Sequence, residues 1–265
     1  MHNLEGFMKL RVSLAVILFY LVGWALPVRA EGTTCASPTM VVPDGRITPS
    51  TINNGSVFFY GWRGTPGHSY SVELKSVIEP FNIAPGSVTI YSDSSGTNCS
   101  VPLTTQDTSL IDPQVSSGIR RSWIADGTAH WIKVQNTSGN RIDYTFSVAD
   151  TTMYSPRWST YLGFHTSWGI NNTTNSTCNV TLNIRNTADV AVGGSPVTFP
   201  VAAGAIVFRV TGASDLNVGT DQAGKVTLTH DCPPAAIQVD AFMVNDTAVP
   251  LVALPVKFDA VREVR

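Results

Sequence analysis

Short runs in which apolar and polar side chains alternate recur along most of the sequence, and this pattern limits the fold more than any other feature. Successive side chains of a β-strand point to opposite faces, so each run predicts a strand with one buried face. Turn-forming groups such as Pro85-Gly86 and Asp126-Gly127 separate the runs. In the first half the runs are 57–62, 70–75, 88–91, 122–124, 129–135 and 142–148.

The second half continues in the same style, and no window shows a helical period over the length that a domain helix needs. Short strands at regular spacing are typical of β-sandwiches. We therefore predict an all-β fold with two tandem antiparallel β-sandwich domains of jelly-roll or Ig-like type. The predicted strands of this half lie near 161–167, 178–186, 197–201, 206–211, 225–230, 236–245 and 249–258.

The first thirty residues are predicted to be a signal peptide. Lys9 and Arg11 form a basic start, residues 12–26 are apolar, and Ala30 ends a stretch suited to cleavage after it. Either Met1 or Met8 is the start. The apolar stretch is shorter than the roughly 20 residues that span a bilayer, and no later run is long enough. We expect a secreted, periplasmic or cell-surface protein with no membrane span in its mature chain.

The boundary between the two predicted domains is expected near residues 150–158. An alternating strand ends at Asp150-Thr151-Thr152, and Ser155-Pro156 interrupts the next run. The domains are therefore predicted at 31–152 and 153–265. Between two strands of the first domain, the long polar stretch 92–117 is predicted to be a loop.

Charged residues make up only 14% of the chain, against about 25% in a typical soluble domain. Threonine and serine take their place, which argues against a cytosolic enzyme with long charged helices. The formal net charge is −2, and Arg120-Arg121 is the only adjacent basic pair of the sequence. Without a basic stripe, nucleic acid is not expected to be a partner.

An even number of cysteines in an exported chain predicts disulfides. No CxxC spacing occurs, so a zinc site is not predicted. Three pairings are possible, and we favour Cys35–Cys99 with Cys178–Cys232 because each bridge then lies inside one domain. Alternation also places the sulfurs of the second pair on the buried faces of their strands. The cysteines are Cys35, Cys99, Cys178 and Cys232.

The order of turns and strands in the first half resembles the bacterial pre-peptidase C-terminal (PPC) domain family, which consists of small secreted sandwiches appended to extracellular enzymes. The segments that carry this resemblance are 58–62, 67–74, 87–91, 126–134 and 143–148. The second half, with its strand Pro255-Val256-Lys257-Phe258, resembles C-terminal sandwich modules of secreted bacterial proteins and implies no activity.

The PPC resemblance also bears on cofactors and on a role in export. Some members of that family bind calcium and help to dock substrate or to assist secretion. The acidic clusters that would hold calcium are absent here, and Asp93 stands alone in its loop. No cofactor is therefore predicted, and calcium is left without assigned ligands.

Catalytic motifs are absent from the sequence. There is no Gly-x-Ser-x-Gly elbow, and Gly193-Gly194-Ser195-Pro196 is interpreted as a turn. The histidines are scattered, and His230 and Asp231 point to opposite faces of one strand. His130 and His230 are both interpreted as core histidines. We therefore do not predict an enzyme.

Trp131 is the most specific candidate for ligand binding. It alternates with Lys133, opposite Ile132 and Val134, so we expect an indole and an amine together on the solvent face. An exposed indole stacks on a sugar ring or anchors a protein partner. The alternative is that Trp131 covers a sheet edge or the seam between domains.

Asn-x-Ser/Thr sequences also recur, and we attribute them to composition rather than to glycosylation. They begin at Asn54, Asn98, Asn136, Asn171, Asn172, Asn175, Asn179 and Asn245.

Taken together, these features predict an exported, non-catalytic binding or structural protein with an extracellular glycan or protein partner. Three other functions stay open: a carbohydrate-binding module, a subunit of an extracellular assembly joined by edge-strand pairing, and a secreted hydrolase. The oligomeric state is not predicted.

Overall fold

The computed structural model describes residues 32–76, 88–93, 118–125, 129–212, 214–245, 247–248 and 250–260. The predicted all-β class with antiparallel sheets is confirmed. Four sheets form two sandwiches, which we call the first sandwich (β1–β8) and the second sandwich (β9–β17). The predicted signal peptide lies outside the described residues, as do residues 94–117 of the predicted loop 92–117, whose first two residues end β5.

The first sandwich consists of the sheets β1-β3-β7-β5 and β2-β8-β4-β6, whose pairings are antiparallel except for the short parallel contact of β1 with β3. Its strands are β1 (Thr39–Met40), β2 (Thr48–Ile52), β3 (Val57–Arg63), β4 (Ser69–Ser76), β5 (Val88–Asp93), β6 (Gly118–Ile124), β7 (Ala129–Gln135) and β8 (Ile142–Asp150).

Both sheets of the first sandwich contribute to one core. Tyr60 of β3 stacks on Phe146 of β8, with 4.1 Å between ring centroids, and its hydroxyl lies 2.6 Å from that of Tyr144. Trp62 and Trp123 add an edge contact between the two sheets, at 5.4 Å. The alternating residues therefore meet face to face, as the sequence pattern requires.

The second sandwich consists of the sheets β13-β10-β15-β16 and β12-β11-β14-β9-β17. Its strands are β9 (Met153–Ser159), β10 (His165–Asn172), β11 (Cys178–Asn186), β12 (Val197–Val201), β13 (Ile206–Val210), β14 (Ala223–His230), β15 (Ile237–Asn245), β16 (Val252–Val256) and β17 (Asp259–Ala260).

The predicted disulfide Cys178–Cys232 is confirmed, with 5.5 Å between the Cα atoms. Both cysteines belong to the buried core of the second sandwich, as predicted, although Cys232 lies two residues beyond the end of β14. Cys99 lies outside the described residues, so the pair Cys35–Cys99 stays a prediction.

The first strand of the second sandwich, β9, was not predicted from the sequence. Residues 153–159 form β9 although they contain Pro156, because Ser155 and Trp158 pair with β14 on either side of a register shift. The strand predicted at 161–167 begins instead with a 3-10 turn, Tyr161–Gly163, in which Leu162 has a φ of 56°. The strand proper starts at His165.

Seven strands of each sandwich are paired in the same way, but the chain runs through them from different starting points. In the first sandwich β8 pairs with β2 and β4, β4 with β6, and β7 with β3 and β5. In the second, β11 pairs with β12 and β14, β14 with β9, and β10 with β13 and β15. The order β9 to β15 therefore matches β6-β7-β8 followed by β2-β3-β4-β5, which is a circular permutation.

A buried asparagine occupies the same place in both sandwiches. The amide NH₂ of Asn136 donates to the carbonyls of Ile52 and Asn140, and its Oδ1 accepts from the backbone and hydroxyl of Ser138. Asn172 donates in the same way to carbonyls of residues 176, 201 and 202, and accepts from Thr174. Each asparagine joins the end of one strand to the turn between two others.

That turn is also shared. Ser56 N–H donates to the carbonyl of Asn53 between β2 and β3, and Ala205 N–H donates to that of Ala202 between β12 and β13. The third residue of each turn is a glycine at positive φ, Gly55 at 76° and Gly204 at 64°. These matches fix a residue-by-residue alignment, in which Phe59 of β3 corresponds to Phe208 of β13.

Candidate binding surface on the second sandwich

The expectation that Trp131 lies on the solvent face is wrong. Its side chain is only 7% exposed, and His130, Trp131 and Ile132 are buried one after the other. Its cross-strand neighbour is Gly61, and Pro38 and Met40 of the N-terminal segment lie within 3.0 to 3.3 Å of where a Cβ of Gly61 would be. That segment lies on the outer face beside Trp131, so both faces of β7 are covered.

Lys133, the other predicted binding residue, is half-buried on the outer face of β7. Its cross-strand neighbours are Phe59 and Thr89. With Trp131 buried, Lys133 no longer accompanies an exposed indole. The structure therefore does not bring the two predicted ligand-binding residues together as an accessible site.

Two buried histidines take the structural positions expected for them. His130 packs among Trp62, Tyr70 and Trp123. His230 accepts a hydrogen bond at Nδ1 from Cys232 N–H, at 3.2 Å. Burial lowers the pKa of His230 from 6.5 to about 4, because the charged imidazolium loses its hydration.

One histidine contacts a buried carboxylate. His68 Nδ1 lies 2.8 Å from Oδ2 of Asp150, and the other oxygen of Asp150 accepts the N–H of Thr152. A hydrolytic triad also needs a serine or threonine hydroxyl on the same imidazole. Within the described residues, no such hydroxyl hydrogen-bonds to His68. Ser195 instead accepts the N–H of Ile184 at 2.6 Å, which fits the interpretation of its segment as a structural turn.

A cavity of about 600 Å³ lies where the two sandwiches meet. Its polar lining includes Asp44, Asp150, Thr151, His230 and Gln238. The Asp150 and Thr151 side chains already bond to neighbouring protein groups, as does Nδ1 of His230. The cavity walls are otherwise formed by prolines, alanines and other apolar residues, so its chemistry does not single out a ligand.

Neither a metal site nor a membrane-spanning helix is found in the part of the chain that the structure describes. No group of three or more His, Cys, Asp or Glu side chains comes together there. No helix in that part is long and apolar enough to cross a bilayer.

Three exposed large apolar side chains lie together on the outside of the sheet β13-β10-β15-β16. Phe208 is 69% exposed, Ile206 56% and Phe242 44%. Strand alternation directs all three to the same outer side, because Phe208 pairs with Gly169 and Phe242 with Ser167. We call these residues and their polar neighbours the Phe208 face.

The Phe208 ring lies across the adjacent strand. A Cβ at Gly169 would sit 3.1 Å from a ring carbon of Phe208, so glycine at this position leaves room for the ring. Asp240 pairs with Gly169 from the other side, and Asn171 pairs with Ile206. The Phe208 face thus combines a flat aromatic ring with a carboxylate and an amide.

The Phe208 face ends at the edge of β13, which no described residue covers. Ala205 and Thr211 bond to β10, so the N–H and C=O groups of Ile206 and Phe208 point away from the sheet. Val210 also points outward, but its N–H donates to Asp215 and its carbonyl accepts from Leu216. Among the described residues, nothing hydrogen-bonds to the outward groups of Ile206 and Phe208.

The equivalent edge of the first sandwich is covered. Phe59 N–H, which matches that of Phe208, donates to the carbonyl of Gly32 at 2.7 Å. Gly61, which matches Val210, accepts from Val41, and β1 pairs with β3 between these contacts. The N-terminal segment of residues 32–41 therefore occupies the position that is open beside β13.

Three other edge strands carry a proline, which hinders pairing with a further strand. These prolines are Pro49 in β2, Pro200 in β12 and Pro255 in β16. The sequence of β13, Ile206-Val207-Phe208-Arg209-Val210, has none. The sequence of β13 has apolar residues on both faces, and this was the one sign of the Phe208 face that the sequence offered. Alternation alone does not tell which of the two faces is exposed.

Comparisons with known proteins add no family. No family model matches the sequence, and no curated protein matches it. Among solved structures, the chain is similar to the pre-peptidase C-terminal domain of a collagenase from Bacillus anthracis, with 8% identity, a TM-score of 0.31 and coverage of 42% of this chain and 92% of that one. It is also similar to the extracellular region of zebrafish Gpr126/Adgrg6, with 8% identity, a TM-score of 0.26 and coverage of 86% and 31% respectively. The resemblance of the first half to the PPC family stays a prediction.

Proposed function

We propose that the chain is an exported, non-catalytic binding protein that docks an extracellular protein partner on the Phe208 face. The supporting observation is the exposure of Ile206, Phe208 and Phe242 beside the uncovered edge of β13. Exposed apolar groups next to unpaired backbone donors and acceptors are the combination that proteins use to bind an added strand. A protein partner can cover the apolar side chains and also form hydrogen bonds to the backbone groups of the edge.

An oxidising compartment is supported by the disulfide of the second sandwich, since such bonds persist mainly in exported proteins. The low share of charged residues, 14%, also suits strands covered with hydroxyl groups better than acid–base chemistry.

A glycan is the second candidate partner. The observation that favours it is the Phe208 ring lying across Gly169, with Asp240 and Asn171 on neighbouring strands. Aromatic rings stack on sugar rings while carboxylates and amides bond to hydroxyl groups. This candidate replaces the one built on Trp131, and it makes no use of the edge of β13.

Photo-crosslinking separates the two partners. p-Benzoylphenylalanine is placed at Phe208 and, as a matched control, at Tyr154, an aromatic residue 37% exposed on the other sheet. The protein is irradiated in the culture of the cells that export it. We expect a discrete polypeptide adduct from position 208 and none from position 154.

A glycan array with the unmodified protein and a Phe208→Ala variant completes the test. Binding to a glycan that Phe208→Ala abolishes, together with no polypeptide adduct at position 208, would replace the protein partner by a glycan. Equal adducts at positions 208 and 154 would contradict a specific surface.

A further inference from the structure

We infer that the partner on the β13 edge is a second copy of this chain, which pairs antiparallel with β13 about a two-fold axis at Val207. This inference rests on the proposed function and specifies its partner. This pairing joins the β13-β10-β15-β16 sheets of the two copies into one continuous sheet of the order β16-β15-β10-β13-β13-β10-β15-β16.

The open groups of one copy match those of another. Ile206 and Phe208 each present one outward N–H and one outward C=O. In an antiparallel pair, Ile206 of each copy lies opposite Phe208 of the other, and the two residues exchange both of their backbone N–H···O=C hydrogen bonds. Four hydrogen bonds form, and a two-fold axis at Val207 uses every open group on both copies.

The side chains along the edge agree with that register. Ile206 of one copy comes to lie beside Phe208 of the other on the outer face, so the two most exposed residues of the strand cover each other. Arg209, the charged residue of the strand, points to the inner face and is paired with Asp215 at 2.9 Å. The two edges therefore meet without like charges on their outer face.

The number of β13 residues that can pair between two copies is limited by the turns on either side of the strand. Val210 is already bonded to the turn at 215–216, and residues 202–205 form the turn before β13. Only three residues of each copy can pair, which predicts a weak, concentration-dependent dimer rather than an obligate one.

Sedimentation equilibrium of the purified protein over a wide concentration range measures the dimer. Ile206→Pro removes an edge-facing N–H without removing a bond of the sheet, so it should weaken dimerisation roughly thirtyfold through two lost hydrogen bonds, one from each copy. Leu254→Ala is the matched control, because Leu254 is 43% exposed on β16, the strand at the other edge of the same sheet. It should leave the dimerisation constant within about twofold.

A cysteine at the axis tests the register. Val207 of the two copies would form a directly opposed, non-hydrogen-bonded pair, whose Cα separation of about 4.5 Å suits a disulfide. Val207→Cys should yield a covalent dimer on a non-reducing gel, whereas Val210→Cys, three residues along, should not.

A protein that sediments as a monomer up to about 1 mM overturns the homodimer, because even weak specific association is visible there. Equal loss of dimer in Leu254→Ala and Ile206→Pro would overturn pairing at the edge. If position 208 crosslinks to a different polypeptide while the purified chain stays monomeric, the proposed function stands and only the second copy is excluded.

Discussion

The first and second sandwiches share one pattern of strand pairing, but the chain enters that pattern at different points. In the first sandwich β2 opens the shared set, so the segment before it, residues 32–41, is available to lie along β3. In the second sandwich the matching strand, β12, is reached from β11 through residues 187–196. No spare segment therefore precedes it, and no described residue covers the edge of β13.

The spare segments of the second sandwich lie elsewhere for the same reason. Its shared set begins at β9 and ends at β15, and the two strands that follow extend these end strands: β16 pairs with β15, and β17 pairs with β9. In the second sandwich the added strands thus extend the first and last strands of the shared set, whereas in the first sandwich the added segment covers β3. The open edge of β13 therefore follows from the permutation of the connections, and the exposed apolar side chains of β13 make that edge suitable for binding.

The largest expected effect is the loss of unfolding free energy when the core is altered at one position that the two sandwiches share. Cys178, paired with Val201, corresponds to Ile142, paired with Ile52. Cys178→Ala with Cys232→Ala should lower the free energy of unfolding by about 4 kcal/mol, because the bridge closes a loop with a sequence separation of 54. Urea denaturation of the parent and the double variant, without reductant, measures this difference in unfolding free energy.

Ile142→Ala is the matched variant in the first sandwich, and it should cost about 2 to 3 kcal/mol through the cavity it leaves. A larger loss for Ile142→Ala than for the double cysteine variant would show that the disulfide is not the main stabilising feature at this shared position.

The shared asparagines give the next largest effect. Asn172→Ala leaves three carbonyls without their amide donor and should cost about 3 kcal/mol, while Asn136→Ala, with two such carbonyls, should cost somewhat less. Guanidinium denaturation compares them. Asn175→Ala, exposed in the same loop as Asn172, is the control and should stay within about 0.5 kcal/mol of the parent. An Asn172→Ala variant as stable as that control contradicts the shared role.

Acid should destabilise the second sandwich through His230, whereas the matching position of the first sandwich has no titratable side chain. The position that matches His230 is Ser76, which does not titrate. The unfolded chain binds a proton at His230 with a pKa near 6.5, but the folded chain does so only near 4, because of burial and, to a lesser extent, Arg120. Protonation therefore favours the unfolded state, and stability falls as the pH drops from about 6.5 to about 4, by up to about 3 kcal/mol.

His230→Gln removes this titration, so its unfolding free energy should change less between pH 7 and pH 4.5 than that of the parent. Asp231, whose charge opposes the pKa shift, is unchanged in this variant. Parallel pH profiles of the two proteins would show that another group causes the acid sensitivity.

The sequence predicted the all-β class, many of the strands and the buried disulfide, because alternation in a half-buried strand reports directly on burial. It failed at Trp131, because alternation assumes one exposed face, and β7 is covered on both. It also failed at β9, where Pro156 suggested a break although the strand continues past it. Whether a face is covered depends on segments distant in sequence, such as 32–41.

The asparagines show a different limit. The Asn-x-Ser/Thr sequences were attributed to composition, yet Asn136 and Asn172 are fully buried and Asn245 accepts from Thr247 by the same local contact. Their spacing of two residues is the geometry by which an asparagine oxygen binds the following turn. Nothing local separates these from exposed copies such as Asn175, because the burial comes from the turns that they meet.

The smallest expected effect tests whether the alignment of the two sandwiches holds at single residues. Gly55 and Gly204 occupy the same turn position with φ of 76° and 64°, and a Cβ at either would meet no atom within 4 Å. Alanine at each should therefore cost the backbone term alone, about 1 kcal/mol, and the two losses should agree. Asparagine, which tolerates this conformation better, should recover part of each loss. Thermal denaturation of the four variants measures these differences, and a loss at one glycine without the other would mean that the turns differ in energy despite their equal hydrogen bonds.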